Sequence, residues 1–180
     1  MKAVLDACVL FPTVLREILT GVAARGLYEA LWSDRILREW LLATAKLGPV
    51  AQMQAEAEQA VLRTAFPRAV LREQRDIEAR LHLPDANDLH VLAVAIAGHA
   101  DCIITFNAKD FPRHLLAEEG IARRDPDGFL WELWSDDPDA VSGVVRAVHA
   151  TATRMAGQDI ALKSLMKRAQ LPKLAKAMGL

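Results

Sequence analysis

Apolar residues fall along this chain in two rhythms. Ala3-Val4-Leu5-Asp6-Ala7-Cys8-Val9-Leu10 is a continuous apolar run broken by one acid, the pattern of a central parallel strand covered on both faces, with Asp6 near its carboxyl end. Cys102-Ile103-Ile104 repeats the pattern in short form and stops at Thr105-Phe106-Asn107. Residues 27–32 predict a second strand and 121–124 an edge strand. Between these runs the spacing turns helical. Leu15, Ile18, Leu19 and Val22 follow Pro12-Thr13, and Ile36, Leu37, Trp40, Leu41 and Leu47 follow the capping pair Ser33-Asp34. An alanine-, glutamine- and glutamate-rich helix over 51–66 stops at Pro67, and 68–82 predicts another with Leu71, Ile77 and Leu81 inward. Leu89 to Ala97 is almost wholly apolar, so it predicts a buried helix entered through Pro84 and the cap Asp85. A short helix over 113–119 ends at Gly120.

The last quarter of the chain has only the helical rhythm. Asp125-Pro126-Asp127 caps an aromatic-rich helix over 128–134, and Ser135 to Asp139 reads as a polar hinge. A helix then carries Val141, Val144, Val145, Val148 and Met155 on one face up to Gly157, followed by a basic amphipathic helix over 159–170 that Pro172 punctuates. Strands alternating with helices predict an α/β domain with a parallel sheet over 1–134, and 135–180 reads as a helical extension.

Composition narrows the class. At 180 residues with about half of them apolar, the chain is long enough for a proper core, and no run approaches a membrane span. The amino-terminal residues show no export signal, which places the protein in the cytoplasm. Cys8 and Cys102 lie in apolar runs without zinc spacing and read as small buried thiols. The net charge of −1 conceals an asymmetry: residues 1–134 carry 15 basic and 19 acidic side chains, residues 135–180 seven and four. The extension is therefore basic, and two accounts stand: its cations are solvated, or they contact RNA phosphates or an acidic partner segment. The arginines at 63, 68, 72, 75 and 80 read first as an ion-paired, solvated face and second as phosphate contacts.

The chemistry that remains is carboxylate chemistry. No Ser-His-Asp order, phosphate-cradling glycine loop or Cys/His cluster is present, whereas acids stand at Asp6, Glu39, Asp85 and Asp88. A lone acid within the first apolar run needs a cation, donors or a proton. Glu39 projects from the flank of its helix, where spacing alone reads it first as a surface residue and second as one reaching into a cleft; Arg35 and Arg38 point further out. Clustered acids at the carboxyl ends of parallel strands repel unless a hard divalent cation lies among them, and Mg²⁺ or Mn²⁺ suits such oxygens. Aspartyl-phosphate phosphatases resemble Asp-x-Asp at the first strand, and Cys8 stands at the second position here.

Four stretches then carry a resemblance: Val4-Leu5-Asp6-Ala7-Cys8-Val9-Leu10, Ile36-Leu37-Arg38-Glu39-Trp40, Pro84-Asp85-Ala86-Asn87-Asp88-Leu89-His90-Val91-Leu92-Ala93, and Ala100 to Asn107 with Asp110-Phe111-Pro112. In this order the chain resembles the PIN-domain ribonucleases, including VapC-type toxins of toxin-antitoxin pairs, over residues 1 to about 134. The resemblance implies a three-layer α/β/α domain whose first, second and third acids correspond to Asp6, Glu39 and Asp88. It further implies a Mg²⁺- or Mn²⁺-dependent endoribonuclease acting on RNA, a small antitoxin partner, and scope for a homodimer. Many members have Thr-x-Asp after the last core strand; this chain has Thr105-Phe106-Asn107, so the fourth carboxylate is absent, supplied by Asp110, or replaced by the Asn107 amide. Asp85 aligns with an acid preceding the third, and Ala7-Cys8 replaces the Thr-Asn common among relatives. A catalytically weak binding module and a housekeeping nuclease without an antitoxin are the alternative functions.

Overall fold

A computed structural model describes residues 1–180. In chain order the elements are β1 (Lys2–Leu5), α1 (Ala7–Leu10), α2 (Thr13–Ala24), β2 (Glu29–Ser33), α3 (Asp34–Ala45), α4 (Pro49–Ala65), β3 (Val70–Leu71), α5 (Arg75–Glu78), a 3₁₀ turn (Ala86–Asp88), α6 (Leu89–Ala97), β4 (Cys102–Ile104), α7 (Arg113–Glu118) and β5 (Ala122–Arg124). The helices α8 (Pro126–Asp136), α9 (Pro138–Ala156), α10 (Leu162–Arg168) and α11 (Pro172–Ala177) complete the chain. No helix is long and apolar enough to cross a membrane. Two compact units result, each discontinuous in sequence: Met1–Phe11 with Glu29–Arg124, and Pro12–Tyr28 with Asp125–Leu180.

The first unit is built on a five-stranded parallel sheet in the order β3-β2-β1-β4-β5. Val4 pairs with Leu31 on one side and Ile103 on the other. Successive residues Ala3, Val4 and Leu5 are all fully buried, as are Ile103 and Ile104, which requires cover on both faces because side chains alternate along a strand. The domain is thus the three-layer α/β/α arrangement, with α6 packed on β1, β2 and β4. Chain order reverses across β1 and β4, the switch point at which open α/β sheets place their sites, beyond the carboxyl ends of the strands.

The first strand is shorter than its apolar run. It ends at Leu5, and Asp6 becomes the N-cap of α1 with φ −69° and ψ 154°, so Cys8 lies on a helical turn and is partly exposed, not buried in a strand. Residues 68–82 form the two-residue strand β3 and the single turn α5 instead of a helix, and Leu71, Ile77 and Leu81 are only half-buried. Leu47 lies past the end of α3 and is exposed.

In the second unit α2 packs on α9, and α8 packs on both α9 and α11. A Cβ at Gly21 would stand 2.7 Å from Val144 Cγ1, so glycine permits the close approach of α2 to α9. Val141, Val144 and Val145 are buried, whereas Met155, in the last turn of α9, is exposed. Gly157 closes that helix in the left-handed conformation, φ +64°. Pro172 opens α11 rather than closing α10, taking the first helical position where its missing N–H costs nothing.

Candidate metal centre

Asp6 leaves β1 at the switch point, with its N–H donating to the Ile104 carbonyl of β4 at 3.2 Å. Its side chain makes no capping bond to α1. Instead Oδ2 accepts from the Thr105 hydroxyl at 2.6 Å and from the Cys8 thiol at 3.0 Å, and the residue is buried. Thr105 Oγ1 in turn accepts from the Asn107 N–H at 2.9 Å. Burial, followed by the charge of Asp6, pushes the Cys8 thiol up to about 12, so Cys8 is a neutral donor here and not a nucleophile.

Asp88 sits where the 3₁₀ turn passes into α6. Pro84 and Asp85 shape that junction: Asp85 Oδ1 accepts from the backbone N–H of Asn87 at 2.9 Å and from its side-chain amide at 3.0 Å. Asn107 links Asp88 to the segment that leaves the carboxyl end of β4. Its Nδ2 donates to Asp88 Oδ2 at 3.0 Å while its Oδ1 accepts from the Asp110 N–H at 3.4 Å; a carboxylate can only accept and an N–H can only donate, so both partners fix the same orientation of the amide. Ligand oxygens of Asp85, Asp88 and Asp110 lie within 4.8 Å of one another.

The charges of this cluster act on Asp88. Asp88 is raised from 3.8 to about 6, first by burial and then by the negative charges of Asp6, Asp85, Asp110 and Glu39. All the acids singled out by the sequence thus bear on Asp88, and Asp6, Asp85, Asp88 and Asp110 are in no ion pair. Oxygen-only donors with unbalanced negative charge are the set that suits a hard divalent ion.

Glu39, on α3, bears on Asp88 through its charge, but neither it nor Asp6 is in the group of Asp85, Asp88 and Asp110 whose oxygens lie within 4.8 Å of one another. Glu39 Oε1 lies 2.8 Å from His90 Nε2 and 3.5 Å from Arg35 Nε. The imidazole contact is close but not aligned as a hydrogen bond, and neither ring nitrogen of the fully buried His90 has a hydrogen-bond partner. Arg35 does not point outward: its guanidinium also donates to the Asn87 carbonyl at 3.2 Å and lies 3.5 Å from Glu78. Arg35 and His90 were invisible as site residues in the pattern, although Arg35 precedes Glu39 by one helical turn and His90 is the single polar residue within the run from Leu89 to Ala97. Of the arginines at 63, 68, 72, 75 and 80, two serve surface pairs, Arg63 with Asp34 at 2.6 Å and Arg80 with Glu119 at 2.7 Å.

Residues 2–109 match the PIN-domain family. The chain belongs to that family. No curated protein and no solved structure matches it. PIN domains are generally metal-dependent nucleases, and the acidic cluster of this PIN domain is compatible with a divalent ion.

Proposed function

We propose that this PIN domain is a Mg²⁺- or Mn²⁺-dependent endoribonuclease in which Asp6, Glu39 and Asp88 hold the metal, with Asp85 and Asp110 adding charge or ligands. The observation that supports this reading is the gathering of Asp85, Asp88 and Asp110, whose ligand oxygens lie within 4.8 Å of one another, with Asp6 and Glu39 near enough for their charges to act on Asp88. When bound, such an ion supplies the positive charge that acidifies an attacking water and offsets the charge developing on the scissile phosphate. The chain does the positioning. Thr105 and Cys8 hold the Asp6 carboxylate in one orientation, Asn107 holds Asp88, and Arg35 pairs with Glu39 one turn away on α3.

The closeness of the four motifs to those of VapC-type toxins supports a toxin restrained by a small antitoxin. A small DNA-binding protein encoded immediately upstream is the expected finding, and its absence favours a housekeeping nuclease. One observation favours a weaker module: Asn107 donates to Asp88 where relatives place a further acid. A panel of RNAs incubated with the protein in EDTA and after Mg²⁺ or Mn²⁺ add-back separates the two. Cleavage that returns with metal and is lost in Asp88→Asn supports the enzyme, whereas RNA binding without cleavage under every metal supports the module.

A further inference from the structure

The second unit ends in a segment whose charge is one-sided. Residues 160–180 hold Lys163, Lys167, Arg168, Lys173 and Lys176 and no aspartate or glutamate, in a chain that otherwise has more acids than bases. Each of these cations is exposed, whereas Leu165, Met166, Ala169, Leu171, Leu174 and Ala175 are buried. The apolar sides of α10 and α11 are therefore spent on packing, and what faces outward is cationic.

The segment is also held in a fixed conformation. Gln170 turns the chain between the two helices with φ +59°. The carboxylate of Asp127, in the first turn of α8, accepts from both the Lys173 N–H at 2.8 Å and the Leu174 N–H at 2.9 Å, so the start of α11 is clamped to α8. Lys173 lays its ammonium 3.5 Å above the Trp131 ring, a contact that orders one cation without neutralising it. Lys163, Lys167, Arg168 and Lys176 have no ion-pair partner. Side chains kept merely for solubility are commonly mixed in sign, and like charges gathered on two docked helices repel unless a polyanion is near.

We propose that α10 and α11 form a phosphate-binding surface for single-stranded RNA, resting on the nuclease reading of the first unit. The surface grips the backbone through counter-ion release and carries no base readout, so it is tolerant of sequence and acts on affinity, leaving cleavage chemistry to the PIN domain.

The test uses the full-length protein with the substitutions Lys163→Gln, Lys167→Gln, Arg168→Gln and Lys176→Gln combined, and a second variant with Lys163, Lys167 and Lys176 changed to Arg. All of these positions are exposed, so folding is expected to be kept and is checked by circular dichroism and melting temperature. Affinity for a fluorescent single-stranded 20-nucleotide RNA is measured in EDTA from 50 to 200 mM salt, alongside metal-dependent cleavage by the unsubstituted protein. The glutamine variant is expected to bind about tenfold or more weakly at low salt, with the slope of log affinity against log salt reduced by about 0.7 for each cation removed, and the arginine variant to bind as the unsubstituted protein does. Equal affinity and slope in the glutamine variant overturn the surface while leaving the nuclease reading standing if the unsubstituted protein cuts. If polyglutamate competes as well as RNA at equal charge, the surface belongs to an acidic protein and the RNA assignment falls. If the unsubstituted protein neither cuts nor binds RNA, the nuclease reading and the surface fall together.

Discussion

Asp88 shows how a site made of like charges trades stability for ligand readiness. Its folded-state value, raised from 3.8 to about 6 by burial and by four other carboxylates, means that the folded protein binds this proton more tightly than the unfolded chain. The resulting stability is present in full below about pH 4 and is lost as pH rises through about 6. For a half-exposed carboxylate, solvent screening leaves an effect on the order of 1 kcal/mol. Metal-free Asp88→Asn should therefore melt higher than the parent at pH 7 and about equally at pH 4; a parallel pair of pH-dependent melting curves decides it, and a lower melting point at pH 7 would make Asp88 structural. Asp6 differs because it is buried with donors in place. Thr105→Val removes the 2.6 Å hydroxyl donor from its carboxylate and should cost about 1–3 kcal/mol by thermal unfolding, with cleavage falling as the Asp6 orientation loosens. At this scale the sequence revealed where acids stand, because an acid within an apolar run or at a helix start breaks a visible pattern. It did not reveal what holds them. The link from Asn107 to Asp88 and the His90 contact with Glu39 span 19 and 51 positions of chain, and nothing periodic connects those places.

Elements were legible where burial was uniform along them. The helix from Leu89 to Ala97 and the strands Lys2–Leu5 and Cys102–Ile104 sit where continuous apolar runs lie, and Ser33 and Asp125 cap the helices that follow them. Two failures have a common cause. The run through Leu10 reads as one strand because an apolar helical turn and a buried strand share the same composition, and the chain changes conformation at Asp6. Residues 68–82 carry helical spacing by chance, but Trp32 and Ser33 of β2 offer a sheet edge that Val70 and Leu71 take instead. That edge pairing has a consequence at Gly98, where α6 ends: a Cβ there would stand 2.7 Å from Leu71 Cδ1 and 2.8 Å from Leu31 Cδ1. Leu31 is buried in the sheet and has little room to move, so Gly98→Ala is expected to destabilise by about 1–3 kcal/mol through overpacking. Chemical denaturation of the variant checks this, and an unchanged midpoint would show that β3 yields without cost.

At the scale of the whole molecule, the acids belong to one compact unit and the unbroken basic segment to the other. Each unit is closed by distant parts of the chain, since α2, only a few residues after β1, joins the unit formed by the four last helices. Such an arrangement cannot be read from local periodicity, because helical spacing states that a face is buried and never against which partner. It does predict a map for ligand effects. A metal bound by the acidic cluster stabilises the segments that hold it in proportion to the logarithm of its concentration over its dissociation constant, about 2.7 kcal/mol at a hundredfold excess. Hydrogen exchange with Mn²⁺ should therefore slow at the junction of β1 with α1, in α3 around Glu39, over residues 85–89 and over residues 105–111, with residues 160–180 unchanged. The slowing should vanish in Asp88→Asn. Protection that instead falls mainly on residues 160–180, or that persists in Asp88→Asn, would mean that the ion is held elsewhere and that the cluster around Asp88 is not the metal centre.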